Sequence, residues 1–332
     1  MTQENNSKFL ELNSDTPVVK TKEGCNIENS KLDLAPIVLF VYNRPDHTKQ
    51  TVEALQKNEL ACASELFIYS DAPKNENAAA KVSEVREYIK TIDGFKKVTI
   101  YEREKNWGLA NSIIDGVTKI VNDYGKIIVL EDDLVTSPYF LKFMNEALEM
   151  YKDEARVFGV TGYAYPIKND GLRSTFFMKA EGCWSWATWD RAWKYFEKDT
   201  DKLIKIFDKK MTKEFNFDNS IDFWSQVIHN QQGKINSWAI YWYATIFLKD
   251  GLFLYPNISF TANIGFDGSG VHCGESCGFD VELAEKYDTI FEQNIIPSTL
   301  ARQRHIEYFN SLKVALWKRV INKIKRILRS MQ

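Results

Sequence analysis

The chain has 332 residues, a net charge of −2, and 44% hydrophobic and 14% aromatic residues, a composition that supports a sizeable core and excludes a disordered or fibrous protein. Lys313, Lys318, Arg319, Lys323, Lys325, Arg326 and Arg329 stand in the last stretch, 311–332, without an acid, which leaves −9 on the rest and argues against a nucleic-acid-binding body. No run of 18 apolar residues and no secretory signal is visible, and five scattered cysteines (Cys25, Cys62, Cys183, Cys273, Cys277) make no disulfide framework, so the expectation is a soluble protein of a reducing, cytoplasmic compartment.

Residues 1–35, rich in Asn, Ser, Thr, Glu and Lys without a sustained period, read as a loosely ordered leader outside the core. From Pro36 the pattern changes. Ile37-Val38-Leu39-Phe40-Val41-Tyr42 is a continuous apolar run stopped by Asn43-Arg44-Pro45-Asp46, the pattern of a strand buried on both faces and ended by a turn. A helix follows with Thr48, Val52 and Leu55 on one face. Glu65–Ser70, before Asp71-Ala72-Pro73, repeats the strand-then-turn grammar. Next come a charged helix through Val82, Val85, Tyr88 and Ile89, a strand at Lys97–Tyr101, and a helix from Leu109 to Asp123 after the turn Asn106-Trp107-Gly108. A fourth strand is expected at Lys126–Leu130. This β-α-β alternation implies a mostly parallel sheet flanked by helices, with ligands beyond the carboxyl ends of its strands.

Glu131-Asp132-Asp133 follows the fourth strand. Three adjacent carboxylates at a buried strand end repel one another, and a hard divalent cation such as Mn²⁺ or Mg²⁺ relieves that repulsion with oxygen ligands. The same acids also suit the N-terminus of a helix starting near Ser137-Pro138. Beyond them the chain is less regular. Trp184, Trp186, Trp189 and Trp193 fall within ten residues, as an aromatic core or a sugar-stacking wall. Segments 237–243 and 252–255 read as further buried elements, and Asn263–Gly274 is a glycine-rich loop suited to closing over a ligand. Cys273 and Cys277 beside His272 lack the second pair that a structural zinc site requires. His47, His229 and His305 show no partner pattern. In the tail, Val314, Trp317, Ile321, Ile324, Leu328 and Met331 recur at helical steps between basic residues, an amphipathic helix suited to an anionic membrane surface or to docking on the acidic body.

In this order, the strand-end motifs, the acidic triplet, the tryptophan segment and the glycine-rich loop resemble nucleotide-sugar glycosyltransferases of the GT-A fold from about Pro36 to Gly278, in particular bacterial enzymes of surface-polysaccharide synthesis. More distantly the chain resembles the Golgi N-acetylglucosaminyltransferase that begins complex N-glycans, whose Glu-Asp-Asp and Pro-x-Ile-Ser motifs have counterparts in Glu131-Asp132-Asp133 and Pro256-Asn257-Ile258-Ser259. The resemblance implies a GT-A-like α/β domain over 36–310, with a nucleotide-binding half at 36–135 and an acceptor half at 136–310, followed by a basic helix at 311–332. It implies a UDP-sugar donor, GlcNAc by analogy with the distant relative, Mn²⁺ or Mg²⁺, and a saccharide or lipid-linked acceptor. Asp133 would be the metal ligand. Asp132 and Glu131 would contact the donor's hydroxyls, Asp71 the uracil edge, Asn43 and Arg44 the base or phosphate, Arg103 and Asn106 the ribose or diphosphate, and His272 the diphosphate or the metal. Trp184, Trp186 and Trp238 would meet the acceptor.

An inverting transferase needs a carboxylate to take the acceptor's proton. Where the Golgi relative has an Asp, this chain has Asn236-Ser237 before Trp238. Glu181, Asp190 and Asp222 remain, with Asp222 the first choice and Asp190 the second, each also readable as a helix cap or a surface ion-pair partner. Two rival readings stand beside this one. A sugar nucleotidyltransferase would need a glycine-rich phosphate loop after the first strand, which residues 42–46 lack. A non-catalytic carbohydrate-binding or scaffold protein would account for the aromatic wall and the missing base.

Overall fold

The computed structural model of the protein describes residues 17–21, 33–268 and 278–313. Its strands are β1 (Val18–Thr21), β2 (Ile37–Val41), β3 (Glu65–Ser70), β4 (Lys97–Glu102), β5 (Lys126–Glu131), β6 (Leu134–Thr136), β7 (Val157–Thr161), β8 (Thr175–Met178), β9 (Trp186–Trp189), β10 (Leu252–Pro256) and β11 (Thr261–Asn263). The helices are α1 (Pro45–Gln56), α2 (Glu76–Ile89), α3 (Leu109–Tyr124), α4 (Phe140–Met150), α5 (Asp190–Trp193), α6 (Thr200–Ile206), α7 (Lys209–Phe215), α8 (Trp224–Gln231) and α9 (Ala239–Leu248). Residues 299–313 are also helical.

The four expected strands and the three helices between them are present. They pair in parallel as β4-β3-β2-β5, and α1 to α3 supply the crossovers that parallel pairing requires. Alternate residues of β2 explain its unbroken apolar run: Ile37, Leu39 and Val41 enter the core on one face of the sheet, Val38 and Phe40 the core on the other. Gly116 lets α3 lie close on the sheet, since a Cβ there would meet the Phe40 ring at 2.8 Å.

Most of the later strands join the same sheet. Beyond β5 the order continues β9-β7-β10-β8, with β9 antiparallel to β5 and to β7, β10 parallel to β7, and β8 antiparallel to β10. The sheet is therefore parallel over β4-β3-β2-β5 and mixed outside it. A small second sheet pairs β6 with β11, which brings the chain after Pro256-Asn257-Ile258-Ser259 back against the acidic turn.

Two findings depart from the sequence reading. Val18–Thr21, inside the expected leader, pairs antiparallel with β4 and covers that edge, because a short β-branched stretch suffices to occupy an open strand edge. Cys62 is disulfide-bonded, where only thiols were expected, while Cys183 is a free thiol. No helix among the described residues is long and apolar enough to cross a membrane. The basic helix expected at 311–332 lies, beyond residue 313, outside the described residues, as do His272, Cys273 and Cys277.

Candidate active site

In the order β4-β3-β2-β5, the chain leaves β2 in one direction to β3 and reaches β5 on the other side. The crevice beyond the carboxyl ends of β2 and β5 is the switch point at which open α/β sheets bind ligands. Asn43 and Arg44 stand there after β2, both half-buried, and Glu131-Asp132-Asp133 stands there at the end of β5.

The two segments meet through charge. The Arg44 guanidinium bonds to Asp132 Oδ1 and lies 3.0 Å from Asp133 Oδ2. Asp132 and Asp133 are almost fully buried. Asp132 also accepts a hydrogen bond from the Tyr42 backbone N–H at 3.3 Å, and its carbonyl accepts one from Thr51 Oγ1 at 2.9 Å. Burial disfavours the Arg44 cation, but Asp132 and then Asp133 outweigh it and hold the group protonated. Burial raises the proton affinity of Asp132, with Arg44 opposing. Burial, followed by Asp133 and Asp132, pushes Glu131 up to about 8. The acidic turn is thus strained by its own charge and relieved in part by one arginine.

Asp133 is fixed from the other side by β11 and the turn after it. Ile264 donates its backbone N–H to the Asp133 carbonyl at 2.9 Å, and Asn263 Oδ1 accepts from the Gly265 N–H at 2.8 Å. A Cβ on Gly265 would stand 2.2 Å from Asp133 Oδ2 and 3.1 Å from Arg44 Nη1. Only glycine leaves room for the carboxylate in this place. His47 closes the rim, its Nε2 3.2 Å from Asp267 Oδ2.

The turns after β3 and β4 hold three of the expected site residues. Asp71 accepts four hydrogen bonds from its own chain: Ala72 N–H at 2.9 Å and Trp107 N–H at 2.8 Å on Oδ1, Gly108 N–H at 2.8 Å and Asn106 Nδ2 at 3.1 Å on Oδ2. A carboxylate has about four acceptor positions. Asp71 therefore shapes the Asn106-Trp107-Gly108 turn instead of presenting a free acceptor to a uracil edge, and Asn106 is tied to it and to the Ala72 carbonyl. Arg103 is buried, paired with Asp115, and packed 3.8 Å from the Trp107 ring centre and 5.0 Å from that of Tyr69. Its guanidinium braces the turn from within, which leaves it unsuited to the ribose or diphosphate contact expected of it.

The tryptophans divide. Trp186 and Trp238 are 1% and 4% exposed and stack on each other at 5.1 Å, so both are core and neither offers a face to an acceptor. Trp184 is half-buried, edge-on to Tyr163 at 4.7 Å and to Phe266 at 5.4 Å. It remains beside the crevice.

Neither preferred base fits. Asp190 follows β9, whose last residue, Trp189, pairs with Lys126 at the start of β5. The antiparallel register therefore places Asp190 at the end of the sheet opposite the acidic turn, where it is exposed and accepts from the Arg191 N–H. Asp222 is exposed and accepts from the Ser225 N–H at 3.1 Å, the role of a helix cap at α8.

Sequence reasoning missed the pairing of Arg44 with Asp132 and Asp133, and the seat at Gly265. A cation directly after the first strand, facing an acidic triplet after the fourth, was the available signal for the first of these.

A parallel sheet with a charged crevice at its switch point defines an α/β domain with a candidate ligand site. Residues 37–217 match glycosyl transferase family 2, and the chain belongs to that family. No curated protein matches the chain in sequence. Among solved structures, the mannosyltransferase PcManGT from Pyrobaculum calidifontis, in complex with GDP-Man and Mn²⁺, is similar at 10% identity over 67% of this chain and 73% of that one, with a TM-score of 0.38. S. aureus TarS 1–349 is similar at 10% identity over 68% of this chain and 59% of that one, with a TM-score of 0.37. The complex of the same TarS fragment with UDP gives 13% identity over 39% and 34%, with a TM-score of 0.28. Similarities of this size carry neither ligand to the present chain.

Proposed function

We propose that this family 2 glycosyltransferase moves a sugar, with GlcNAc as the first donor to test, from a UDP-sugar to a saccharide or lipid-linked saccharide acceptor in surface-polysaccharide synthesis. In this reading transfer inverts the anomeric carbon and depends on Mn²⁺ or Mg²⁺. The observation that carries it is the convergence of Arg44, Asp132 and Asp133 at the switch point of the parallel sheet, with the Asp133 carboxylate seated against Gly265.

The donor set suits a hard cation. No group of three or more His, Cys, Asp or Glu side chains forms a metal cage among the described residues. Mg²⁺-type sites commonly use one or two carboxylates and take their remaining oxygens from substrate phosphates and water. Asp133, with Asp132 behind it, would hold the ion. When bound, the ion supplies charge neutralisation to the leaving diphosphate. Arg44 brings a second, protein-borne cation to the same place, Asn43 borders the pocket after β2, and the turn organised by Asp71 and Asn106 forms its far wall.

The work is assigned to the cytoplasmic face of the cell membrane, with residues 311–332 as the peripheral contact. Each cation near an anionic surface contributes on the order of 1 kcal/mol, and seven stand in that segment.

A thermal-shift panel of UDP-, GDP- and CMP-sugars with and without Mn²⁺, on the wild type and Asp133→Ala, tests the reading, since a ligand of the native state raises the midpoint by mass action. The expected result is a Mn²⁺-dependent shift with a UDP-sugar that Asp133→Ala abolishes. A folded wild type unmoved by every donor would overturn it.

A further inference from the structure

The elimination of Asp190 and Asp222 leaves the question of what takes the acceptor's proton. We propose that Glu181 is that catalytic base, and that the aromatic cavity it borders receives the reacting edge of the acceptor. The proposal rests on the donor reading above and deepens it.

Register places the residue. Trp186, the first residue of β9, pairs with Val129, so the chain before it, 181–185, runs on past the carboxyl end of β5 toward the level of Glu131. Trp184, three residues after Glu181, meets Phe266 at 5.4 Å, beside the Gly265 that seats Asp133. The same register carries Asp190 to the opposite end of the sheet.

Its surroundings suit the role. Glu181 Oε1 is buried and has no hydrogen-bond partner among the described residues. It borders a cavity of about 100 Å³ whose walls include Tyr165, Trp184, Phe223, Tyr243 and Tyr255. Aromatic faces with an unpaired carboxylate oxygen among them are what a sugar hydroxyl needs, an apolar wall for the ring's C–H face and an acceptor for its proton. The titratable groups around Glu181 are Cys183, which hydrogen-bonds to it, Glu131, and the phenols of Tyr165, Tyr243 and Tyr255. His305 lines the same cavity with Nδ1 2.7 Å from the Ala301 carbonyl. Burial lowers it to about 4, so it is neutral there at physiological pH. Burial also pushes Glu181 up to about 8, so the share of it in the base form grows as pH rises through that range.

The step balances without a redox partner. The acceptor O–H proton passes to Glu181 Oε1, the acceptor oxygen bonds to the anomeric carbon, the bond from that carbon to the diphosphate breaks, and UDP leaves with the electron pair. Glu181 then returns the proton to solvent.

The test uses UDP-GlcNAc and Mn²⁺, with water and with azide as acceptors, because azide attacks without losing a proton. In water, Glu181→Gln is expected to release UDP at least about 100-fold more slowly than the wild type, with the donor-induced thermal shift unchanged. Azide should restore UDP release in the variant and yield the glycosyl azide. Glu181→Asp, which keeps the acid but withdraws it by one methylene, should fall between the two and serves if the Gln variant melts early. A Gln variant as fast as the wild type in water, or one equally slow with azide, would overturn the assignment of Glu181 while leaving the donor reading standing. A wild type that binds no UDP-sugar would overturn both.

Discussion

Gly265→Ala is the sharpest perturbation the site offers, because it adds one methyl group at a defined place. The new Cβ would lie 2.2 Å from Asp133 Oδ2, 3.0 Å from its Cγ and 3.1 Å from Arg44 Nη1. Non-bonded heavy atoms settle at roughly 3.5 Å, so the carboxylate must retreat by about 1 Å and its 3.0 Å contact with Arg44 must break. Gly265 is not among the positive-φ glycines, so alanine adds no backbone strain and by itself is neutral or slightly stabilising. A displacement of about 1 Å in a reacting constellation costs on the order of 100-fold, equivalent to roughly 2.7 kcal/mol of transition-state stabilisation. The assay is kcat/KM for Mn²⁺-dependent UDP release from UDP-GlcNAc, with the ligand-free melting midpoint as the control for folding. A variant that melts like the wild type and retains kcat/KM within threefold would refute the claim that Gly265 seats the Asp133 carboxylate for function.

Arg44→Ala leaves Asp132 and Asp133 buried without their cation, a change that costs about 3–5 kcal/mol in comparable buried pairs. The ligand-free midpoint should fall by several degrees, and Mn²⁺ should raise the midpoint of the variant more than that of the wild type; equal Mn²⁺ shifts would contradict the charge argument. Trp186→Ala should cost about 3–5 kcal/mol in urea denaturation, as expected of a large core side chain, whereas Trp184→Ala should cost clearly less and act mainly on acceptor KM. The reverse order would contradict the division of the tryptophans. For pH, Glu181 is raised in the folded protein to about 8, so the native state keeps a proton that the unfolded chain gives up above roughly pH 4.5. Its contribution to stability is complete below that value and lost as pH rises toward 8. The wild-type midpoint should therefore decline more between pH 5 and 8 than that of Glu181→Gln, and parallel curves would argue against a buried protonated carboxyl.

The strands β2 to β5 were legible in the sequence because they are buried on both faces. Ile37–Val41 and Ile127–Leu130 show as continuous apolar runs, and the crossover helices show as periodic stretches between. Edge pairing was not legible: Val18–Thr21 becomes a strand only because β4 offers it an open edge. Nor did the sequence separate Trp186 from Trp184, since both sit in one dense aromatic segment and the pairing of β9 with β5 decides which is enclosed. The same register disqualifies Asp190, since the antiparallel direction of β9 carries that residue to the far end of the sheet. The turn that Asp71 and Asn106 share was not legible either, because a strand-end acid that meets a ligand and one that organises a turn carry the same local signature.

In the proposed function the crevice at Arg44, Asp132 and Asp133 binds a nucleotide diphosphate together with a divalent ion. Crystals grown with UDP and Mn²⁺, and measured for anomalous scattering at the manganese edge, test it most directly. The expected result is a manganese peak bonded to an Asp133 carboxylate oxygen and to the diphosphate, with the Arg44 guanidinium drawn off Asp133 toward the phosphates. UDP bound elsewhere, or bound in this crevice with no manganese peak and Arg44 still paired to both aspartates, would contradict it.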